Sequence, residues 1–242
     1  MNPVQSIDDS LLRETHKNFI AERSDIGSEV SNWKLLITEN EIQAKVQHLA
    51  DFINQKFADD KIVVTCILKG CSYFLVDLTR KLTIPHSIYF IEASSYHDKQ
   101  VQGERIELLS ILVPSKFHGR KVILLDELYD NGFTLDAVKS KLIEEIKLNP
   151  DDVFTCTLFH KAKNSVSKYE QPNLIGFANL PDLWYVGYGL DDRQEKRNWV
   201  HLYAIPKIEG VVKNDDDIIF DSTPEGVDRY QQIRKTIVSM KN

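Results

Sequence analysis

The sequence predicts an α/β protein built on a mainly parallel, twisted sheet flanked by helices. Three observations support this prediction: predicted strands and helices alternate along the chain, their connections are short, and one strand is apolar almost throughout. That strand, Ile62–Leu68, is rich in β-branched residues, which is typical of a strand buried on both faces. A second such strand is predicted at residues 122–125, and each of the two is followed by a helix and another strand.

The other elements are predicted from the spacing of apolar residues. A helix is expected over residues 40–57, because apolar residues recur there every three or four positions, which places them on one face of a helix. The residues of that face are Ile42, Val46, Leu49, Ile53 and Phe57. Further helices are predicted over about 74–82 and from residue 134, and further strands at 35–37, 87–91, 106–113, 153–159 and 184–186.

Both ends of the chain are predicted to lie outside the main domain. The chain has 242 residues, which is enough for one large core. Residues 1–32 are polar and rich in charge, and we interpret them as an N-terminal extension. The domain itself is expected at residues 33–209, followed by a C-terminal tail, residues 210–242, that contains three consecutive aspartates.

Composition and motifs narrow the possible functions. The net charge of −6 gives no general attraction to nucleic acid, and no apolar run approaches the ~20 residues of a membrane span, so neither partner is expected. Three cysteines without C-x-x-C spacing, Cys66, Cys71 and Cys156, predict a reduced, cytoplasmic protein. The sequence holds no P-loop, G-x-G-x-x-G, H-E-x-x-H or G-x-S-x-G motif.

The strongest functional signal follows the predicted strand at 122–125. Asp126 and Glu127 come directly after it, Asp130 follows, and a short loop leads into a helix at Thr134. A capped helix start explains part of this pattern. Three acids at one strand end, however, repel one another unless a partner such as Mg²⁺ or a polyhydroxyl sugar neutralises them.

The loop after these acids is predicted to bind an anion. The backbone amides of residues 131–134 lie at a helix N-terminus, which attracts phosphate, and Thr134 adds a hydroxyl. Ligands of open α/β sheets bind at the carboxyl ends of the strands. Carboxylates beside a phosphate cradle at that edge predict a site for a sugar phosphate.

This segment resembles the phosphoribosyl pyrophosphate (PRPP) motif of the type I phosphoribosyltransferases. Four further stretches, in the order and approximate spacing of the family, narrow the resemblance to its hypoxanthine-guanine (6-oxopurine) branch. They are Leu68-Lys69-Gly70, Ser95-Tyr96, Cys156 to Lys161, and Trp184 to Asp191 with Arg197. The resemblance spans residues 33–206 and implies the type I fold with a small hood over the active site, and a homo-oligomer of two or four copies.

The resemblance also implies a reaction. A purine salvage enzyme would transfer the 5-phosphoribosyl group from PRPP to N9 of hypoxanthine or guanine, giving IMP or GMP and pyrophosphate, with Mg²⁺ as cofactor. Asp126 and Glu127 are expected to hold the ribose hydroxyls and the metal, and Asp191 to be a further metal ligand. Asp130 is expected to act as the general acid/base at N7 of the purine.

The same motifs imply contacts for the phosphates and the base. The 5′-phosphate is expected on the loop of Asp130, Asn131, Gly132, Phe133 and Thr134. The pyrophosphate is expected at Lys69, Gly70 and Arg197, with a cis bond between Leu68 and Lys69. The purine is expected to meet Lys161 at its 6-oxo group, Trp184 by stacking and Tyr185 through the backbone. Ser95 and Tyr96 are expected to open a polar lid that runs to residue 103.

The sequence departs from the family pattern at two functional positions. The acid pair reads Asp126-Glu127 where Glu-Asp is usual, so the side-chain lengths are exchanged. Asn131 replaces a more usual Thr or Ser and so removes a hydroxyl from the phosphate loop.

Two alternatives stay open from the sequence. The same chemistry could prefer xanthine, because Lys161, Trp184 and Tyr185 do not settle the base. A regulator on the same scaffold that senses PRPP or nucleotides and binds RNA is the second alternative. The acidic net charge and the complete set of base-handling residues argue against the regulator.

Overall fold

The structure, a computed structural model, describes residues 34–96, 105–162, 168–192 and 194–205. The predicted N-terminal extension (1–32) and C-terminal tail (210–242) lie outside the described residues. None of the helices in these ranges is both long enough and apolar enough to cross a membrane.

Nine strands and three α-helices make up the described part of the chain. The strands are β1 (Lys34–Ile37), β2 (Ile62–Leu68), β3 (His86–Tyr96), β4 (Arg105–Leu108), β5 (Lys121–Tyr129), β6 (Val153–Lys161), β7 (Leu174–Leu180), β8 (Trp184–Val186) and β9 (Leu202–Ile205). The helices are α1 (Glu39–Lys56), α2 (Ser72–Thr79) and α3 (Phe133–Ile146).

The larger sheet has the strand order β4-β3-β2-β5-β6-β7. From β3 to β7 every neighbouring pair is parallel, whereas β4 runs antiparallel along β3 at one edge. This order confirms the predicted parallel sheet. Because five strands run the same way, their carboxyl ends meet at a single edge of the sheet.

Helices cover both faces of this sheet, since successive residues of a strand point to opposite sides. Val64 and Cys66 of β2 pack in one core with α1 and α2, and Val63 and Ile67 pack in the other with α3. Nearly all of β2 is buried. The continuous apolar pattern of that strand therefore reflects burial on two faces, as predicted.

Helix α1 begins at a capping box. The Thr38 hydroxyl accepts a hydrogen bond from the Glu41 amide (3.4 Å), and the Glu41 carboxylate accepts one from the Thr38 amide (2.8 Å). The helix starts at Glu39, one residue before the predicted start. Its predicted apolar face is confirmed, with Ile42, Val46, Leu49 and Ile53 buried.

A smaller antiparallel sheet has the order β1-β9-β8. It joins distant parts of the chain, since Lys34 of β1 pairs with Ala204 of β9. β8 carries Trp184 and Tyr185, and the Tyr185 ring lies 5.4 Å from Nζ of Lys161 at the end of β6. The small sheet thus stands beside the carboxyl edge of the large one, where the hood was expected.

The structure differs from the predicted elements in several boundaries, among them those of α2, which spans Ser72–Thr79 and not 74–82, and it adds two strands. β3 extends to Tyr96 because β4 pairs with its second half, and β4 itself ends at Leu108, well before the predicted end at 113. β7 was not predicted, because Gly176 and Asn179 interrupt its apolar pattern. β9 was not predicted either. One of its partners, β1, lies far away in the sequence, and the other, β8, is only a short strand.

Candidate active site

Three neighbouring strands bring the predicted residues to one edge of the sheet. β2, β5 and β6 lie side by side and run parallel, so their carboxyl ends open on the same side. Lys69 and Gly70 follow β2, the acidic segment occupies the end of β5, and Lys161 ends β6. The structure therefore assembles three of the predicted motifs at one edge.

The acid pair lies at the end of β5, still within the strand. Asp126 is buried and Glu127 is half-buried, with the Glu127 carboxylate packed against the α-carbon of Gly70. A Cβ at position 70 would lie 1.9 Å from Oε1 of Glu127, so any side chain there would displace the Glu127 carboxylate from this position. The contact joins the β2 loop to the β5 acids.

Burial raises the pKa of both acids. Desolvation raises the pKa of Asp126 to about 6, although hydrogen bonds at Glu127 oppose this shift. Desolvation first, and then the charge of Asp126, raise the pKa of Glu127, while the charge of Arg197 opposes the rise. Ionising both acids together is therefore unfavourable without a bound cation.

These two carboxylates fit a magnesium ion. Mg²⁺ is typically held by one or two carboxylates together with substrate oxygens and water, and a buried acid pair in need of positive charge supplies such ligands. Among the described residues, no group of three or more Asp, Glu, His or Cys side chains is arranged to hold a metal. Asp191 accordingly does not join the other two acids in one cluster.

We expect the metal-free protein to lose stability as the pH rises through about 6. The carboxyl of Asp126 ionises near 3.8 in the unfolded chain and near 6 in the folded one, so the folded state binds more protons between these values. The resulting penalty, on the order of 2–3 kcal/mol, is fully present above this window and relieved below it. Urea unfolding with a chelator at about pH 4.5 and about pH 8 measures it. Asp126→Asn should lack this share of the pH dependence, and equal dependence in both proteins would contradict the assignment.

The phosphate loop runs from β5 into α3. Gly132 has a φ of +88°, and a Cβ there would lie 2.3 Å from the hydroxyl of Tyr129, so both backbone and space require glycine. The loop lines a small pocket whose wall includes Asp126, Asp130 and Thr134. The pocket lies at the N-terminus of α3, where the sequence predicts an anion site.

Asn131 partly occupies that cradle itself. Its side-chain oxygen accepts a hydrogen bond from the Phe133 amide at 2.9 Å. A bound phosphate must therefore compete with this carboxamide for the Phe133 amide. Asn131 thus removes a hydroxyl from the loop and also occupies one of the backbone amides of the loop.

The loop after β2 has the backbone expected from the resemblance. The bond between Leu68 and Lys69 is cis, which confirms that expectation. The Lys69 carbonyl accepts hydrogen bonds from the hydroxyl (2.8 Å) and the amide (3.3 Å) of Ser72, at the start of α2. The Lys69 side chain is exposed at the edge of the site.

Arg197 reaches this loop through Gly189. The guanidinium of Arg197 donates to the Gly189 carbonyl (2.8 Å) and pairs with Asp191 (2.7 Å), and the Gly189 amide donates back to the Arg197 carbonyl (2.9 Å). Gly189 in turn lies on Gly70, since a Cβ on it would be 2.0 Å from the Gly70 carbonyl oxygen. Sequence analysis gave Gly189 no role, because a lone glycine pattern does not reveal what packs on it.

Lys161 lies between two acids. It is 6% exposed, and its Nζ is 3.3 Å from Oδ1 of Asp130 and 3.4 Å from Oδ1 of Asp182. Asp182 was missed by sequence analysis, since an acid after a proline is an ordinary turn residue. The structure adds it to the site.

The two aromatic residues of β8 differ in their surroundings. Trp184 is 38% exposed and presents a flat ring to solvent, whereas Tyr185 is buried and its hydroxyl donates to the Pro181 carbonyl. Burial raises the pKa of Tyr185 above its usual range. Trp184 is thus available for stacking, and Tyr185 supports the turn before it.

Ser95 and Tyr96 lie at the end of β3, paired with Ile106 and Arg105 of β4. The rest of the predicted lid, residues 97–103, lies outside the described residues. The first two residues of the predicted lid therefore belong to the β3–β4 strand pair.

Comparisons with known proteins agree with the sequence resemblance. The chain matches the family model for the phosphoribosyl transferase domain over residues 33–193. It is 31% identical to the hypoxanthine phosphoribosyltransferase of Escherichia coli K12 over 179 residues, which cover 72% of this chain and 94% of that protein. It is 30% identical to the hypoxanthine-guanine phosphoribosyltransferase of Aquifex aeolicus, over 71% of this chain and 94% of that one.

Solved structures give the same likeness. A hypoxanthine-guanine phosphoribosyltransferase from Bacillus anthracis aligns with a TM-score of 0.57 and 31% identity, covering 71% of this chain and 96% of that one. A hypoxanthine phosphoribosyltransferase from Staphylococcus aureus aligns with a TM-score of 0.62 and 26% identity, covering 74% and 94%.

Proposed function

Because the chain belongs to the phosphoribosyltransferase family, in its hypoxanthine-guanine branch, we propose that it transfers the 5-phosphoribosyl group of PRPP to N9 of hypoxanthine or guanine. Pyrophosphate is the leaving group. The observation that supports this most is the buried acid pair beside a helix N-terminal pocket, with Lys161 at the end of the next strand. Together these supply groups for the sugar, the phosphate and the base.

The donor is bound by three groups of residues. The loop of residues 130–134 takes the 5′-phosphate, through backbone amides and the Thr134 hydroxyl. Lys69, the Gly70 amide and Arg197 take the pyrophosphate, and Arg197 exchanges its contact with Asp191 to do so. Asp126 and Glu127 accept hydrogen bonds from the ribose hydroxyls.

Mg²⁺ is the proposed cofactor, with Asp126 and Glu127 as its nearest protein groups. When bound, it supplies positive charge that offsets the charge developing on pyrophosphate. The site supports this proposal because its two neighbouring acids are buried or half-buried, and desolvation raises the pKa of both despite the charge of Arg197. Asp191, which the structure does not bring into one cluster with Asp126 and Glu127, is proposed to contact Mg²⁺ from the pyrophosphate side once Arg197 releases it.

The base is held and activated by Lys161, Trp184 and Asp130. The Lys161 ammonium donates to the 6-oxo oxygen, and Trp184 stacks on the ring, an interaction worth ~1–3 kcal/mol. Asp130 lies 3.3 Å from Lys161 and exchanges the proton at N7. As the bond between the ribose and pyrophosphate breaks, positive charge develops on the ribose. Closure of the segment after Ser95 and Tyr96 keeps water away from the ribose carbon that carries this bond.

We also propose that the protein works in the cytoplasm as a homo-oligomer. Cys66, Cys71 and Cys156 are all free thiols and buried, which suits a reducing compartment. Ile88 and Phe90 of β3 are 45% and 50% exposed, and such apolar residues on a sheet face are typical of a subunit contact.

The function is tested by initial rates with PRPP, Mg²⁺ and each of four purines. We expect turnover of hypoxanthine and guanine, and little of adenine, because its 6-amino group cannot accept a hydrogen bond from Lys161. A rate with xanthine that exceeds both would favour the alternative base. A preference for adenine would contradict the role of Lys161, and no turnover with any purine would contradict the proposed function.

A further inference from the structure

The Lys161 ammonium, at the end of the site proposed for the purine, lies near two carboxylates, Asp130 and Asp182. Only one of them, Asp130, is needed for proton exchange at N7 of the purine. Lys161 is almost completely buried, and a buried ammonium is costly unless it is paired. Its two partners are almost equally distant, at 3.3 Å for Asp130 and 3.4 Å for Asp182, and both carboxylates are between two-fifths and one-half exposed. The ammonium is thus shared between them.

The two acids reach Lys161 from different parts of the fold. Asp130 belongs to the loop between β5 and α3, and Asp182 to the turn between β7 and β8. If Asp130 were the one partner, the ammonium would be drawn onto it and would occupy the carboxylate that has to face the base. A second carboxylate in the other turn balances this attraction.

The turn that carries Asp182 is fixed by its neighbours. The Leu183 amide donates to the Pro181 carbonyl at 2.9 Å, and the Tyr185 hydroxyl donates to the same carbonyl. The Tyr185 ring also lies 5.4 Å from Nζ of Lys161. Tyr185 therefore holds the backbone of the turn that carries Asp182, and its ring also lies beside the lysine.

From this geometry we propose that Asp182 is a positioning residue for base selection: it shares the Lys161 ammonium with Asp130, so that the ammonium stays between the two acids and can be directed at the 6-oxo group of the purine. This inference rests on the proposed function, and it adds a residue to which neither the motifs nor the comparisons give a role.

The test compares Asp182→Asn with the unchanged protein. The substitution keeps the size of the side chain and removes its charge, so we expect kcat/KM for hypoxanthine to fall about tenfold to a hundredfold, in the range of one charge-assisted hydrogen bond. The rate with adenine should fall much less, because Lys161 gives adenine no hydrogen bond. The ratio of the two rates is thus expected to drop about tenfold, with the Kd of PRPP unchanged.

Two further variants separate positioning from general damage. Asp182→Glu restores the charge and should recover most of the discrimination between the two bases. Asp152→Asn removes the acid from another lysine pair, Lys121–Asp152 (2.6 Å), near the start of β5 and β6, and should leave all rates unchanged. An unchanged hypoxanthine-to-adenine ratio in Asp182→Asn, or no recovery in Asp182→Glu, would overturn the proposal. Absence of turnover in the unchanged protein would instead overturn the proposed function, and the inference with it.

Discussion

Replacing Asp130 by asparagine is expected to slow nucleotide formation by ~10²–10⁴-fold, the usual cost of losing one general acid/base. The amide keeps the shape of the side chain and can still lie beside Lys161, but it cannot accept the N7 proton. Because the loop is proposed to bind the 5′-phosphate through backbone amides, which the substitution keeps, binding of PRPP should change little. The effect should therefore appear in kcat rather than in the Kd of the donor.

The measurement is a steady-state assay with hypoxanthine, together with calorimetric titration of PRPP and Mg²⁺ for the unchanged and variant proteins. Asp136→Asn is the matched control, since Asp136 lies in the first turn of α3, close to the same loop, but outside the pocket. It should retain full turnover. Wild-type rates in Asp130→Asn would show that this carboxylate does not move the proton.

Replacing Gly189 by alanine is expected to disable the pyrophosphate side of the site. A methyl group would lie 2.0 Å from the carbonyl oxygen of Gly70, and the φ of +98° is one that alanine avoids. The left-handed backbone alone costs about 1–2 kcal/mol. The clash with backbone atoms then forces Arg197 and the Lys69–Gly70 loop apart, and a displacement of about 1 Å can cost ~10²-fold in rate.

The variant Gly119→Ala separates the effect of the left-handed backbone from the effect of the clash with Gly70. Gly119 also has a left-handed backbone, with φ at +72°, but no atom lies within 4 Å of the place where its Cβ would stand. We expect it to lose stability by the backbone penalty and to keep its activity. Denaturant unfolding and the Kd of PRPP are measured for both variants. Equal losses of activity would mean that the contact between Gly189 and Gly70 does not organise the site.

Parts of the site could be predicted from the sequence because their chemistry is local. Asp126, Glu127, Asp130 and the loop to Thr134 are consecutive, so a buried strand, a set of acids and a helix start are visible in one short window. The structure places all of them at the carboxyl edge, as predicted. The strand was predicted too short, since it continues through the acids to Tyr129.

Other parts could not be predicted, because they depend on contacts between distant segments. Asp182 meets Lys161 only when β7 and β8 fold beside β6, and Gly189 meets Gly70 only when the segment after β8 folds over the β2 loop. β9 forms because β1, at the other end of the domain, pairs with it. The helix and strand propensities of single residues do not depend on such distant partners and so cannot predict them.

The sequence alone determined the layered α/β architecture and the place of the acids, since both follow from local patterns: alternating apolar segments, and acids directly after a buried strand. Only the tertiary structure decided how the charges are shared. The ammonium of Lys161 lies between two carboxylates, and the guanidinium of Arg197 is held at Asp191 and Gly189. The physical reason is that the energy of a charge depends on its distance to every neighbour, and these distances exist only in the folded chain.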